Sequence, residues 1–252
     1  MGDAHPLEAD VWVTNVRLRD FEVRAVLVVG TGRAVVWDTL SHPRDMAPFR
    51  PLVEGRPLGI LYSHADWDHV WGTAGLPYDQ ALIVGHDACL ERFATDVPLS
   101  LNQKQAAEPG VWDAVRLVAP TSTFSGQYSL DVGSLTLSLH HTPGHTPDSI
   151  VAFIEERGML LAGDAVETPL PVVPPDSPLS RWITELERWE DDPRVRTVVP
   201  SHGPIGGREI LRRNIAYLRR LLEGRPFDVP EPLADFYRET HEANLRACRR
   251  TD

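Results

Sequence analysis

The chain has only two cysteines, Cys89 and Cys248, far apart and with no Cys-x-x-Cys pair. That excludes a disulfide framework and leaves two free thiols, as expected in a reducing cytosol. Lysine is almost missing: Lys104 stands alone and every other basic residue is arginine. The 25 basic residues are outnumbered by 36 acidic ones, for a formal net charge of −11. An acidic chain repels phosphate backbones and anionic lipid, so neither nucleic acid nor a membrane surface is an expected partner. No apolar run approaches the roughly 18 residues that span a bilayer. The segment Met1 to Asp10 lacks the basic start and apolar run of a signal peptide. Asn-x-Ser/Thr sites, repeats and low-complexity tracts are also absent. The sequence therefore predicts a cytoplasmic globular protein. With 252 residues, 42% of them hydrophobic, it is long enough for a real core. A single domain over 1–252 is expected, with a helical extension from about residue 225.

The first sixty residues read as strands: Asp10 to Val16 alternates, Phe21 to Val29 is Val-rich, and Ala34 to Trp37 is apolar. Gly30 and Gly32 begin a dinucleotide-binding glycine pattern, but Val35 holds the third glycine's place and a strand follows where a helix is required, so that motif is rejected. Arg44 to Glu54 reads as a short helix and Leu58 to Tyr62 as a buried strand. Ala81 to Val84 is another strand, and a helix runs from Gly85-His-Asp to about Ala94. Thr95 to Gly110 is polar, a loop or a helical flap. Strands are expected at Val115 to Val118, Tyr128 to Asp131, Ser134 to His140, Ser149 to Ile154, Met159 to Leu161 and Val195 to Val199. Five prolines stiffen Thr168 to Pro178. Helical spacing marks Leu179 to Trp189 and Ile210 to Leu222, and a last helix covers Pro232 to Arg249. That helix either pairs with a second copy in a homodimer or caps its own sheet. The outline is a sandwich of two sheets with helices outside.

His64, Asp66, Asp68 and His69 fall within six residues, just after a predicted buried strand. Three further groups follow strand ends beside a Gly or Pro: His145 in Thr-Pro-Gly-His, Asp164 in Ala-Gly-Asp, and His202 in Ser-His-Gly. Rigid turns at strand ends hold a site without mobile side chains. Imidazole with carboxylate suits zinc, iron or manganese and does not suit calcium. Four histidines and three carboxylates exceed one tetrahedral shell and fit two metals sharing a carboxylate. Two such ions lower the pKa of a water between them and present it as a nucleophile at neutral pH.

The order HxxxDH, TPGHT, GD, SHG resembles that of the metallo-β-lactamase fold superfamily, from about Val11 to Leu222. The resemblance implies an α+β fold, a four-layer αββα sandwich, and two divalent metal ions. It implies that His64 and His145 bind metal one, that Asp68, His69 and His202 bind metal two, and that Asp164 bridges, with Asp68 also orienting the nucleophile. One position departs from the family's HxHxDH: Asp66 stands where the second His is usual. Asp66 either binds metal one through oxygen or falls short and leaves that site weak. Flavodiiron relatives carry Glu at this position, so zinc is the default metal, with iron or manganese as the alternative. The primary expectation is a metal-dependent hydrolase of a small-molecule substrate, an ester, thioester, lactone or phosphoester. A di-iron redox protein without its flavin domain and a non-catalytic binding module with a degraded metal site are the alternatives.

The other histidines, His5, His42, His86, His140, His141 and His241, read as surface or capping residues. Trp67 and Trp71 form either a substrate wall or core packing. Ser149 lacks a nucleophile's context and reads as a supporting residue. Arg181 and Trp182, after the proline loop, are placed toward substrate, and the Arg212-Arg213 and Arg219-Arg220 pairs on a solvated helix face. Substrate specificity is expected in the loops 95–110 and 168–178.

Overall fold

The computed structural model describes residues 3–225 and 233–248. Strands β1 (His5–Glu8), β2 (Val11–Arg17), β3 (Glu22–Val29) and β4 (Ala34–Trp37) form an antiparallel meander. Strands β5 (Leu58–Leu61), β6 (Leu82–His86) and β7 (Ser122–Phe124) extend it in parallel to a seven-stranded sheet. Helices α1 (Arg50–Val53), α2 (Trp67–Val70), α3 (Asp87–Phe93) and α4 (Asp96–Ala107) lie between these strands in sequence. The second sheet takes β8 (Gln127–Asp131), β9 (Thr136–His141), β10 (Ile150–Ile154) and β11 (Met159–Gly163) antiparallel, with β12 (Thr197–Pro200) parallel to β11. Helix α5 (Leu179–Asp191) lies between β11 and β12 in sequence, and α6 (Glu209–Leu222) and α7 (Asp235–Cys248) follow β12.

The period-two alternation of the strands splits their side chains between two cores. Val26, Val28, Val35 and Trp37 of the first sheet face Leu137, Leu139, Ile150, Ile154, Met159 and Leu161 of the second. Their neighbours Leu27, Val36 and Ile60 point outward, under Met46, Phe49 and Trp71. On the far side Val151, Phe153 and Leu160 pack under Trp182, Leu186, Ile215 and Leu218, which recur at helical spacing on α5 and α6. The result is the four-layer αββα sandwich that the sequence predicts.

Three expectations are corrected, and the edge strand β1 escaped prediction. Val115 to Val118 is not a strand: Val115 is buried in the outer core and its N–H bonds Trp112 O, so the run plugs the core as a turn. Pro120 then intervenes before β7. The segment 44–54 divides into a short 3-10 turn, Pro43–Met46, and the single turn α1. Strand β1, in the polar N-terminal stretch, went unpredicted because an edge strand with half-exposed residues carries no apolar alternation. Trp182 does not face substrate: it is fully buried, and its indole N–H donates to Ala165 O at 2.9 Å.

One segment resolves its alternative: residues 96–107 are helical. Helix α7 packs on α6, with Tyr217 Oη 2.9 Å from His241 Nδ1. Pro232 and Arg249, the expected ends of that last helix, lie outside the described residues.

Candidate metal centre

All seven candidate residues sit just beyond strand ends at one rim of the sandwich. After β5 the chain turns through His64 and Asp66, and the first turn of α2 carries Asp68 and His69. His145 lies between β9 and β10, Asp164 directly after β11, and His202 directly after β12. Gly144 sets the path into His145: a Cβ there would lie 2.2 Å from the Trp182 ring. Only glycine lets the loop press this closely on the indole, so the motif's glycine has a packing cause.

The four imidazoles converge. Asp164 Oδ2 lies 3.8 Å from His64 Nε2, 3.4 Å from His69 Nε2, 3.7 Å from His145 Nε2 and 3.3 Å from His202 Nε2. Around it the side chains divide into two groups, His64 with Asp66 and His145, and Asp68 with His69 and His202. Each imidazole is aimed by an acceptor behind it. His64 Nδ1 donates to Ser63 Oγ at 2.9 Å and His69 Nδ1 to Asp38 Oδ2 at 2.9 Å. His145 Nδ1 donates to Val172 O at 3.1 Å and His202 Nδ1 to Glu22 O at 2.7 Å. Every Nδ1 is thus occupied and every Nε2 is turned toward the Asp164 carboxylate, the arrangement that metal-binding histidines require.

The donor set fits a divalent ion. His64 Nε2, His69 Nε2 and Asp164 Oδ1 are buried without a hydrogen-bond partner, a costly state for groups that serve no ligand. Zinc–nitrogen bonds of about 2.0–2.1 Å in a tetrahedral shell set neighbouring donors roughly 3.4 Å apart, close to the separations around Asp164.

The electrostatics of the side chains agree. Burial opposes protonation of His145, yet the Asp66 and Asp164 carboxylates raise it to about 9. Burial likewise opposes protonation of His202, and Asp164 with Glu167 and Asp68 raises it to about 10. Burial would push the Asp66 and Asp164 carboxyls up, but the surrounding imidazoles hold both well below the usual range. The pocket is therefore built to favour positive charge, which a cation supplies in exchange for protons.

Several supporting residues escaped the sequence reading. Asp38 accepts from His69 Nδ1, from Ser63 N at 2.7 Å and from Ser63 Oγ at 2.7 Å. Arg92 donates to Asp66 Oδ1 at 2.6 Å and to Asp148 Oδ1 at 3.0 Å. Glu167 is buried and raised to about 7 by that burial; it accepts from Tyr237 Oη at 2.8 Å and from Val172 N at 3.3 Å. Asp148, three residues after His145 in the motif loop, was the one legible hint.

Of the remaining expectations, His42 and His86 cap the 3-10 turn and α3, accepting from Arg44 N and Ala88 N. His141 stacks on His86 with ring centroids 3.7 Å apart. Trp71 is core packing, while Trp67 carries the Lys104 ammonium 3.6 Å from its ring centroid. Ser149 Oγ supports the motif loop through Thr146 N and Oγ1. Arg212 and Arg219 bridge to Glu190 and Glu187 of α5 and so tie two helices together. Beside His145 opens a cleft of about 580 Å³ walled by Pro143, Pro147, Pro174, Pro175 and Pro178, with Arg181 at its edge. Among the described residues no helix is long and apolar enough to cross a membrane.

The sandwich and its His/Asp rim together define a metallo-β-lactamase-like fold with a candidate metal centre. Residues 18–202 match the metallo-β-lactamase superfamily, and the chain belongs to that superfamily. It is 30% identical over 112 residues to a hydroxyacylglutathione hydrolase of Anaeromyxobacter dehalogenans, covering 44% of this chain and 33% of that protein. It therefore spans about a third of that relative. It is 28% identical over 222 residues to the acyl-coenzyme A thioesterase MBLAC2 of Bos taurus, covering 81% of this chain and 76% of that one. The metallo-β-lactamase from Pontibacter korlensis shares the fold with a TM-score of 0.69 at 18% identity, over 87% of this chain and 99% of that one. A metallo-β-lactamase from Hirschia baltica superposes with a TM-score of 0.64 at 18% identity, over 90% and 99%.

Proposed function

We propose that the protein hydrolyses acyl thioesters with two divalent ions, zinc by default. In this reading His64, Asp66 and His145 hold one ion, Asp68, His69 and His202 the other, and Asp164 bridges them. The observation that carries it is the approach of four imidazole Nε2 atoms to within 3.3 to 3.8 Å of the single oxygen Asp164 Oδ2. The thioester substrate is supported by the names of the two curated relatives, one a hydroxyacylglutathione hydrolase and the other an acyl-coenzyme A thioesterase.

Bound at such a site, divalent ions ionise water at neutral pH and polarise a carbonyl oxygen. The chain's own groups do the rest. Asp164 fixes the spacing of the two ligand groups. Asp68, its Oδ2 3.6 Å from His202 Nε2, orients the attacking water by accepting one of its protons in a hydrogen bond. A thiolate leaves without a strong general acid, because a thiol ionises near pH 8.5, roughly. The proline-walled cleft beside His145 takes one arm of the substrate; its stiff walls lose little entropy on binding. Residues 1–252 act in this reading as one domain with a helical extension from about residue 225, in the cytoplasm.

Elemental analysis of the purified protein, combined with a panel of acyl thioesters, esters and lactones, tests this. The expected result is two zinc equivalents and thioester turnover that disappears with chelator and returns with metal. Absence of metal-dependent turnover across the panel removes the reading; bound iron with oxygen or nitric oxide consumption replaces it with the di-iron alternative.

A further inference from the structure

The aspartate at position 66 poses a chemical problem. Its side chain is shorter than an imidazole, its two oxygens are equivalent, and it brings a negative charge to a rim already holding Asp68 and Asp164. Left alone, such a carboxylate would rotate about its terminal torsion, with nothing to keep one oxygen turned toward the imidazoles.

We propose that Arg92 is the positioning residue that makes Asp66 a usable ligand, holding one of its oxygens and presenting the other to the metal centre. Arg92 Nη2 donates to Asp66 Oδ1 at 2.6 Å. The opposite oxygen, Oδ2, then lies 3.5 Å from His64 Nε2 and 3.4 Å from His145 Nε2, on the side where a cation would sit. The guanidinium is itself fixed. Its Nη1 donates to Oδ1 of Asp148 at 3.0 Å; Asp148 is wholly buried, and its Oδ2 accepts from Ala65 N at 2.8 Å, next in the chain to Asp66. Nε and Nη2 donate to Asp96 at 2.8 to 3.3 Å. One rigid planar fork therefore reads Asp66 and Asp148 together. Asp148 in turn links the loop of His145 to the loop of His64. The fork both orients the carboxylate and supplies the positive charge that an imidazole at position 66 would not need.

Arg92 has a plainer possible use, a staple joining α3 to α4 through Asp96. A double-mutant cycle separates the two, because a staple acts whatever residue stands at 66. The inference rests on the two-metal reading above, and wild type serves as the control for that reading: if it retains no metal, the earlier proposal fails rather than this one. Wild type, R92Q, D66H and D66H/R92Q are loaded with zinc and dialysed against graded chelator, and retained metal is counted per folded chain. The cobalt-loaded proteins are compared by visible spectrum, which reports coordination independently of activity. R92Q is expected to weaken one of the two ions by about 10–100-fold, the cost typical of losing an outer partner of a ligand, and to alter the cobalt bands. D66H and D66H/R92Q are expected to bind alike. R92K, which keeps the charge and loses the fork, is expected to fall between wild type and R92Q, and replaces R92Q in both backgrounds if the glutamine variant does not fold. Two tightly held ions in R92Q, or an equal loss on removing Arg92 from both backgrounds, overturns the proposal.

Discussion

Asp38 Oδ2 accepts a hydrogen bond from His69 Nδ1 at 2.9 Å, and it does so from a left-handed backbone, φ 58°. A non-glycine residue there is strained and persists only where its surroundings require it. The requirement is visible: the same carboxylate also accepts from Ser63 N and Ser63 Oγ, next to His64. One buried acid thereby aims two candidate ligands, His69 directly and His64 through the serine hydroxyl. Asp38→Ala should lower zinc affinity by about 10–100-fold. It should also cost about 3 kcal/mol of stability, because the buried Ser63 N–H and His69 N–H lose their acceptor. Chelator competition and urea unfolding measure the two effects. Unchanged zinc retention would show that Asp38 serves the turn alone.

The ligand loop around His145 depends on a contact with no room for a methyl group. Gly144→Ala would drive its Cβ into the Trp182 ring at 2.2 Å. Trp182 cannot retreat, since it is fully buried and its indole N–H is committed to Ala165 O. The expected cost is about 3 kcal/mol, at the upper end of overpacking, together with a shift in tryptophan fluorescence and loss of metal near His145. A thermal melt within a degree of wild type would mean that the loop moves freely and that the tight approach does not position His145.

What could be read beforehand and what could not divides along chemical lines. His64, Asp68, His69, His145, Asp164 and His202 stand out because imidazoles and acids beside Gly or Pro at strand ends form a sparse pattern. The central strands of the two sheets were legible because a strand covered on both faces reads as a short continuous apolar run, as at Val26 to Val28 and Ile150 to Ile154. Asp38 and Arg92 were invisible: they are ordinary charged residues whose partners lie 31 and 26 positions away. Glu167 and Tyr237 meet across 70 positions. Val115 to Val118 misled because an apolar run reads as a strand whether it pairs in a ladder or, as here, plugs a core. Trp182 misled because its place after the proline loop suggested the mouth of the site, while helical spacing had already placed it with Ile183 and Leu186 on the buried face of α5.

Away from the rim, His140 offers a test of pH dependence that no metal complicates. It sits on β9 against Trp189, ring centroids 4.9 Å apart, with its Nδ1 buried and unpartnered. Arg188, Asp192 and Arg194 line the same cleft, along with Glu155. Burial comes first, with Arg188 and Arg194 adding to it, and together they lower the imidazole to about 4. An unfolded histidine titrates near 6.5, roughly. Above that value the ring is neutral in both states and costs nothing. As pH falls from 6.5 toward 4 the unfolded chain takes up a proton that the folded one refuses, so stability drops across that window and levels off below it. His140→Gln removes this contribution whatever it does to absolute stability through the lost contact with Trp189. Between pH 7.5 and pH 4 the melting temperature of wild type should fall further than that of H140Q, so that the difference between the two shifts against wild type as the pH falls. Curves that stay parallel through the whole range would show that His140 takes up its proton equally well folded and unfolded, and that the buried Nδ1 is open to water.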